Sequence, residues 1–365
     1  SNIGNDNAGD GSITKPFKTI SKALNTSYPY ILYIYVAAGT YTESLNLKGK
    51  VCLYGGYNSN FAVRNSADKN NAEYKTEIQG TIKFSYGSSE NVLTIDGFVI
   101  NNTTTDTKCV EITGQSGIAF SNNLIMGGNT SNSYAVHITG QYWSLSSVLL
   151  WKNDIRGGAG VNSHSVYLDT SSPISISYNT INGGKGSLSS FGVYINNSDC
   201  GTSIYNNIIN GGSGNTSYAV YYSSSVLSSA IITSNTIDAG TGQTSYGIHH
   251  YNCRGVSIIN NIIISSGLGN KYGVYGKKDA ANLFVSNDIY IINDMGTNYA
   301  GSLGNVSVNP SINPDNDYRF TGTPPISVSR GGISGNLNSS DFLIVKDKDN
   351  NSRTSPISMG AYEYD

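Results

Sequence analysis

Charge is what this sequence lacks most: Asp, Glu, Lys and Arg together make up 13% of 365 residues, and the formal net charge is −2. The pI near 6.1 and the absence of a Lys/Arg cluster along one face remove the electrostatic footprint a nucleic acid requires, so no nucleic-acid partner is expected. Long apolar runs are missing too. The longest near the start, YILYIYVAAG at residues 30–39, is far shorter than a membrane span and reads as a buried strand; no transmembrane segment is expected. No basic-then-apolar leader precedes Ser1, which fits a mature or trimmed chain. Cysteine is limited to Cys52, Cys109, Cys200 and Cys253, none at the close CxxC spacing of a metal or redox pair. What is abundant is Gly (42), Tyr (27) and Asn, Ser and Thr, a composition for many turns and short strands under a neutral polar surface rather than for long helices.

The chain repeats. An Asn two residues ahead of an apolar residue recurs at Asn123, Asn153, Asn179, Asn207, Asn235, Asn261 and Asn287, followed by Ile125, Ile155, Ile181, Ile209, Ile237, Ile263 and Ile289. The period is 26 to 30 residues. Three residues before each Asn stands another apolar residue: Phe120, Leu150, Ile176, Ile204, Ile232, Ile258 and Phe284. A third segment alternates strictly, in the copies YAVHI, HSVYL, FGVYI, YAVYY, YGIHH and YGVYG, with Val136, Val166, Val193, Val220, Ile248 and Val274 as an inward column.

Three short strands per period, each in register with its copy one period later, describe one turn of a parallel β-helix, an all-β single-stranded solenoid. No single turn can bury its own apolar face. Stacking joins the inward columns into one core, and about ten coils at ~4.8 Å give a rod ~50 Å long. The two-residue bend at each Asn calls for left-handed backbone angles, which Asn tolerates, and a column of Asn can pass amide hydrogen bonds from coil to coil. On this spacing Cys200 and Cys253 stand two rungs apart, ~9 to 10 Å, beyond disulfide reach, so free thiols are expected.

The start of the chain, GDGSITKPFKTISKAL followed by YIYVAAGTYTESLNLKGKVCLYGGYNSNF, resembles the opening of secreted right-handed parallel β-helix proteins of the pectate-lyase-like superfamily. LTIDGFVI at Leu93–Ile100 matches a recurring coil phrase of that superfamily, and SPISMGAYEYD at Ser355–Asp365 its closing phrase. The resemblance implies a short amphipathic lid helix over Pro16–Leu24, a Gly39–Tyr41 element after the first strand, a right-handed coil and an extracellular or cell-surface location. About reaction it implies little, since lyases, hydrolases, adhesins and phage spikes share the scaffold. The expected organisation is an N-terminal cap over residues 1–50, the β-helix with its Asn ladder over 51–295, and a C-terminal capping region over 296–365. Within the last region DKDNNSR spaces Asp347, Asp349 and Asn351 like the start of a calcium loop, but Ser352 and Ser358 stand where Gly and Glu belong. A structural calcium there is a lesser expectation than an exposed turn with an Asp paired to Arg353; no other cofactor is expected.

If the valines of the third strand point inward, their neighbours align outward as Glu111, His137, Tyr167, Tyr194, Tyr221, His249 and Tyr275. Small residues before each valine (Ala135, Ser165, Gly192, Ala219, Gly247, Gly273) would leave a shallow depression beside the rings, and Thr113, Thr139, Asp169, Asn196, Ser223, Tyr251 and Lys277 would flank it. Rings beside short polar groups suit a glycan, whose C–H faces stack while its hydroxyls hydrogen-bond. The competing reading is that the tyrosines only stack on one another and stabilise the sheet.

Catalysis would need more. The resemblance implies an Arg or Lys base with calcium held by several carboxylates, and the outer columns carry no such cluster. Glycoside hydrolysis needs two carboxyl groups ~5 to 10 Å apart, which Glu111 and Asp169 could supply with His137 between them. His137 with Tyr167 could instead act as base and acid in an elimination. Sequons such as Asn129-Thr130-Ser131 and pairs such as Gly183-Gly184 carry no site: the first arise easily in this composition, the second are turn residues. The outward positions of the strand before each Asn vary too much for an ice-binding array. The reading that follows is an exported, surface-associated β-helix that binds a polysaccharide or glycan through Tyr167, Tyr194, Tyr221, His249, Tyr275 and Asn196 without turnover. A carbohydrate-active lyase or hydrolase and a protein-binding adhesin or scaffold are the alternatives, and the oligomeric state is left open.

Overall fold

A computed structural model describes residues 1–26, 31–84, 92–103, 107–114, 117–140, 148–170, 173–196, 201–223, 227–251, 254–276, 283–290, 305–321, 323–329, 346–353 and 358–362. The chain is a right-handed parallel β-helix. Among the described residues the strands of the coils fall into three sheets, two of ten strands and one of nine, in each of which the neighbours are successive copies of the repeat, and a short antiparallel pair, Ile312–Asn313 with Arg319–Phe320, follows them. The first sheet runs from Leu32–Ala37 to Leu283–Val285, the second from Gly39–Tyr41 to Asp288–Tyr290, and the third from Leu45–Leu47 to Asn270–Gly276. Pairing is parallel and residue-for-residue: Phe120 lies opposite Leu150, Ile125 opposite Ile155, and Val136 opposite Val166. Among the described residues no helix is long and apolar enough to cross a membrane.

The three inward columns expected from the repeat form a single core. Phe120, Leu150, Ile176, Ile204 and their copies, the isoleucines from Ile125 to Ile289, and the third-strand valines are all buried. The thiols of Cys52 and Cys109 are free and buried, and that of Cys109 is pushed up to about 12 by burial. Cys200, Cys253 and Lys277 lie outside the described residues.

The Asn ladder is continuous. Each Oδ1 accepts from both the backbone N–H and the Nδ2 of the Asn one coil earlier, as Asn207 does from Asn179 at 2.9 and 3.0 Å. Each Nδ2 also donates to the carbonyl of an inward residue of the previous coil, as Asn207 does to Ile176 at 2.8 Å. The ladder begins at the Phe98 N–H, which donates to Asn123, and ends at Asn305, which accepts from Asn287 and donates to the Phe284 carbonyl. Asn305 lies beyond the periodic region, 18 residues after Asn287, so the spacing could not reveal it.

One expectation about the bend is corrected. The left-handed residue is not the ladder Asn but the one before it: Asn122, Lys152, Tyr178, Asn206, Ser234, Asn260 and Ser286 all have φ between 51° and 60°. The ladder Asn is present for its amide, which satisfies inward-facing backbone groups that have no other partner. The backbone strain falls on a neighbour of varied identity.

The two terminal segments sit differently on the rod. The lid helix spans Ile20–Leu24, not Pro16–Leu24. Thr19 caps it, Glu43 accepts from the N–H groups of Ile20 and Ser21, and residues 16–19 instead bond the preceding arm through Asn5 and Asp6. The C-terminal segment lies along the flank, where Tyr318, Val328, Met359, Ala361 and Tyr362 cover Ile208, Ile262 and Ile264 on the outer side of the second sheet. This irregular segment is fastened by Arg353 to Asn206 (3.0 Å), by Tyr318 to Asp238 (2.8 Å) and by Ala361 to Thr236 (3.1 Å). Asp349 pairs with Arg319, not with Arg353.

The division of labour at the bend is measurable on adjacent residues. Asn235→Ala should lower the unfolding free energy by about 3 kcal/mol or more, since it orphans several buried partners, while Ser234→Gly should leave it unchanged or raise it by up to about 1 kcal/mol. Denaturant unfolding of the two variants checks this; equal losses would contradict the assignment.

Candidate functional site

The outward column of the third sheet is in register throughout, from Lys83 opposite Glu111 through His137, Tyr167, Tyr194 and Tyr221 to His249 and Tyr275. It does not stand alone. Three residues earlier in each strand runs a second column, headed by Lys108 and continued by Tyr134, His164, Phe191, Tyr218, Tyr246 and Tyr272. The two residues between the columns, such as Ala135 and Val136, are both fully buried, so the strand bends there and residues three apart emerge on the same side.

This bend removes the expected depression. The small residues point inward: a Cβ on Gly192 would lie 2.8 Å from the Ile209 side chain, and one on Gly247 would lie 2.5 Å from that of Ile263. The space beside the outer rings is filled by the second column. Rings within that column are parallel, with centroids 4.6 to 4.9 Å apart. The outer column stacks likewise from His137 through Tyr167 and Tyr194 to Tyr221, at 4.8 to 5.0 Å. Between the columns the contacts are edge-to-face, as for Phe191 and Tyr194 at 5.0 Å and 80°. The stack turns at His249, whose ring is perpendicular to that of Tyr221 and parallel to that of Tyr246.

Ring faces are therefore occupied by neighbouring rings, and the surface offers ring edges and hydroxyls. Beside them Thr139, Asp169, Asn196 and Ser223 continue in register, with Asn196 near the Tyr167 hydroxyl. Tyr275 and Tyr251, at the far end, are the most open, 41% and 56% exposed. Burial, with Asp169 nearby, pushes the Tyr167 phenol up to about 12, and burial does the same for Tyr218. His137, His164 and His249 are pushed down to about 4 by burial, so between the ends the described ring columns are uncharged at neutral pH and their polar border carries Asp169.

The acid–base candidates are placed as follows. Glu111 lies opposite His137, and its carboxylate is held by Lys108. His137 is 9% exposed and stacked on Tyr167. Asp169 lies in the neighbouring column, opposite Thr139 and Asn196, two coils from Glu111. Among the described residues no three His, Cys, Asp or Glu side chains converge where they could hold one metal ion. In the loop with calcium-like spacing Asp347 accepts from the backbone of Asp349 and Asn351 and from the Asn351 amide, and Asp349 is taken by Arg319. Those carboxylates close a turn.

The second aromatic column is what sequence reasoning missed. Its signal was present, since every quoted copy of the third segment begins with Tyr, His or Phe. Strict alternation assigns that residue to the same face as the outer ring only if the strand bends between them.

Residues 2–149 match a sequence family described as a protein of unknown function, DUF1565. No curated protein matches the chain. Among solved structures it resembles the crystal structure of pectate lyase Pel9A, with 15% identity over 100% of this chain and 95% of that one and a TM-score of 0.51. At that identity the likeness is one of fold.

Two measurements follow from the stack. Tyr194 touches four rings, those of Tyr167, Tyr221, Phe191 and His164. Tyr194→Ala should cost about 2 kcal/mol of stability by denaturant unfolding, and Tyr194→Phe less than about 0.5 kcal/mol. The buried histidines bind a proton less readily folded, at about 4, than unfolded, near 6.5. Their contribution is present above pH 6.5 and is lost as pH falls toward 4. Asp288, pushed up to about 7 by burial, acts in the opposite sense over the range from 3.8 to 7. His164→Phe, which fits between Tyr134 and Phe191, should therefore gain stability relative to the parent at pH 5 compared with pH 7; an equal difference at both values would contradict the burial argument.

Proposed function

We propose that this protein binds a polysaccharide laid along the outer face of the third sheet, without turning it over. The observation that carries the reading is the unbroken aromatic double column with its polar border, repeated coil after coil. Hydroxyls carried on rings 4.8 to 5.0 Å apart recur at about the length of one pyranose residue in an extended chain. A regular polymer can thus meet the same donors and acceptors at each sugar. The resemblance to a pectate lyase in fold supports a polysaccharide as the partner class, and an extracellular or surface location goes with it.

Binding proceeds through hydroxyls and ring edges, since the faces of Tyr167 and Tyr194 are covered by their neighbours. Only the outer end, at Tyr275 and Tyr251, has ring surface open to stack on a sugar. Turnover is not favoured by the geometry: Glu111 is committed to Lys108, and a His137 with its pKa near 4 is a weak base at neutral pH.

The test keeps the rings and removes their hydroxyls. A triple variant, Tyr167→Phe, Tyr194→Phe and Tyr221→Phe, should retain its unfolding midpoint and lose roughly 10- to 100-fold in retention on polysaccharide affinity gels. Unchanged retention would remove the hydroxyl row from the account. Unsaturated or reducing ends appearing on incubation with polysaccharides would contradict binding without turnover.

A further inference from the structure

The charge on this face selects among polysaccharides, an inference that rests on the binding reading above. From the coil of His137 to that of Tyr275, the two ring columns and the polar border beside them carry one formal charge among the described residues, the carboxylate of Asp169. No described cation pairs with it. The rest of the face is phenol, amide, hydroxyl and histidine held neutral by burial. Beside the described rings cations stand at the ends, Lys83 and Lys108 by Glu111 at one and Lys271, in line with the buried serines, next to Tyr272 at the other, while Lys185 opens its strand nine residues before Tyr194.

A polyuronate brings one carboxylate per sugar. Laid across Tyr167, Tyr194 and Tyr221, each carboxylate would lose part of its hydration against ring edges, find no Lys or Arg among the described residues beside those rings, and meet Asp169 as a like charge. A neutral sugar meets no such cost. Its hydroxyls are served by the Tyr hydroxyls and by the Asn196 amide and Ser223 hydroxyl. We infer that the ligand of this face is an uncharged polysaccharide, and that polyuronates are rejected by the missing cations together with Asp169. The likeness to a pectate lyase concerns the path of the chain, and the side chains on this face point to a different class of polymer.

A matched pair of polymers tests the inference on the unmodified protein. Polygalacturonate and its fully methyl-esterified form share one backbone and differ in charge, and a soluble neutral glucan and a neutral galactan extend the comparison. In affinity electrophoresis at least one neutral polymer should be retained roughly tenfold or more above polygalacturonate, and its retention should not change as salt rises to about 0.5 M, where exposed charges are screened. Polygalacturonate retained as strongly as the neutral polymers, with retention that fades in salt, would overturn the inference while leaving the binding reading in place. No retention of any polymer would overturn the binding reading, and this inference with it.

Discussion

Each coil of this protein sits on the last with its residues in register, and that single constraint shapes everything else in it. Parallel pairing at one hydrogen-bonded spacing places a side chain directly on its copy, so any residue type that recurs becomes a column. Apolar columns inside merge into a core. A polar residue inside is tolerated only if the column satisfies itself, which is what Asn123 through Asn287 achieve by donating and accepting along the axis. An aromatic residue outside stacks on itself in the same way, at a spacing fixed by the backbone rather than by the rings.

Much of this was legible in the sequence because columns leave a periodic trace. The inward isoleucines and valines, the Asn ladder and the outward row from Glu111 to Tyr275 all follow from the period. Features that depend on backbone direction rather than on residue identity were not legible. The left-handed position before each Asn holds Asn, Lys, Tyr or Ser, so no letter marks it. The inner aromatic column was hidden because alternation presumes a straight strand, whereas here two successive residues, such as Ala135 and Val136, both turn inward. Asn305 and the fastening of Arg353 to Asn206 lie outside the repeat, where a single sequence gives no register to count from. The lid helix begins at Ile20 because Thr19, within the Pro-Phe-Lys-Thr-Ile phrase, caps it there and Glu43 accepts from its first N–H groups, a tertiary contact that the phrase does not encode.

The same constraint decides what the outer face can offer a ligand. Rings stacked within 5.0 Å of one another have spent their faces, leaving a border of hydroxyls and edges that repeats with the coil. On the proposed binding reading, stability and recognition draw on one set of side chains through different atoms: the ring carbons hold the columns together, and the phenol oxygens and Asn196 meet the ligand. Low charge follows the same logic. A charged group repeated in register would oppose its own copies, and among the described residues of the ring columns and their border Asp169 alone interrupts the neutral pattern between the two ends.

The central claim is that a polymer binds in register with the coils. The direct measurement is a crystal structure of the protein soaked with a neutral oligosaccharide long enough to reach from Tyr167 to Tyr221. The account predicts successive sugars opposite successive tyrosines, with sugar hydroxyls in hydrogen-bond contact with the phenol oxygens. An oligosaccharide ordered elsewhere on the surface, or crossing the third sheet out of step with its coils, would contradict it.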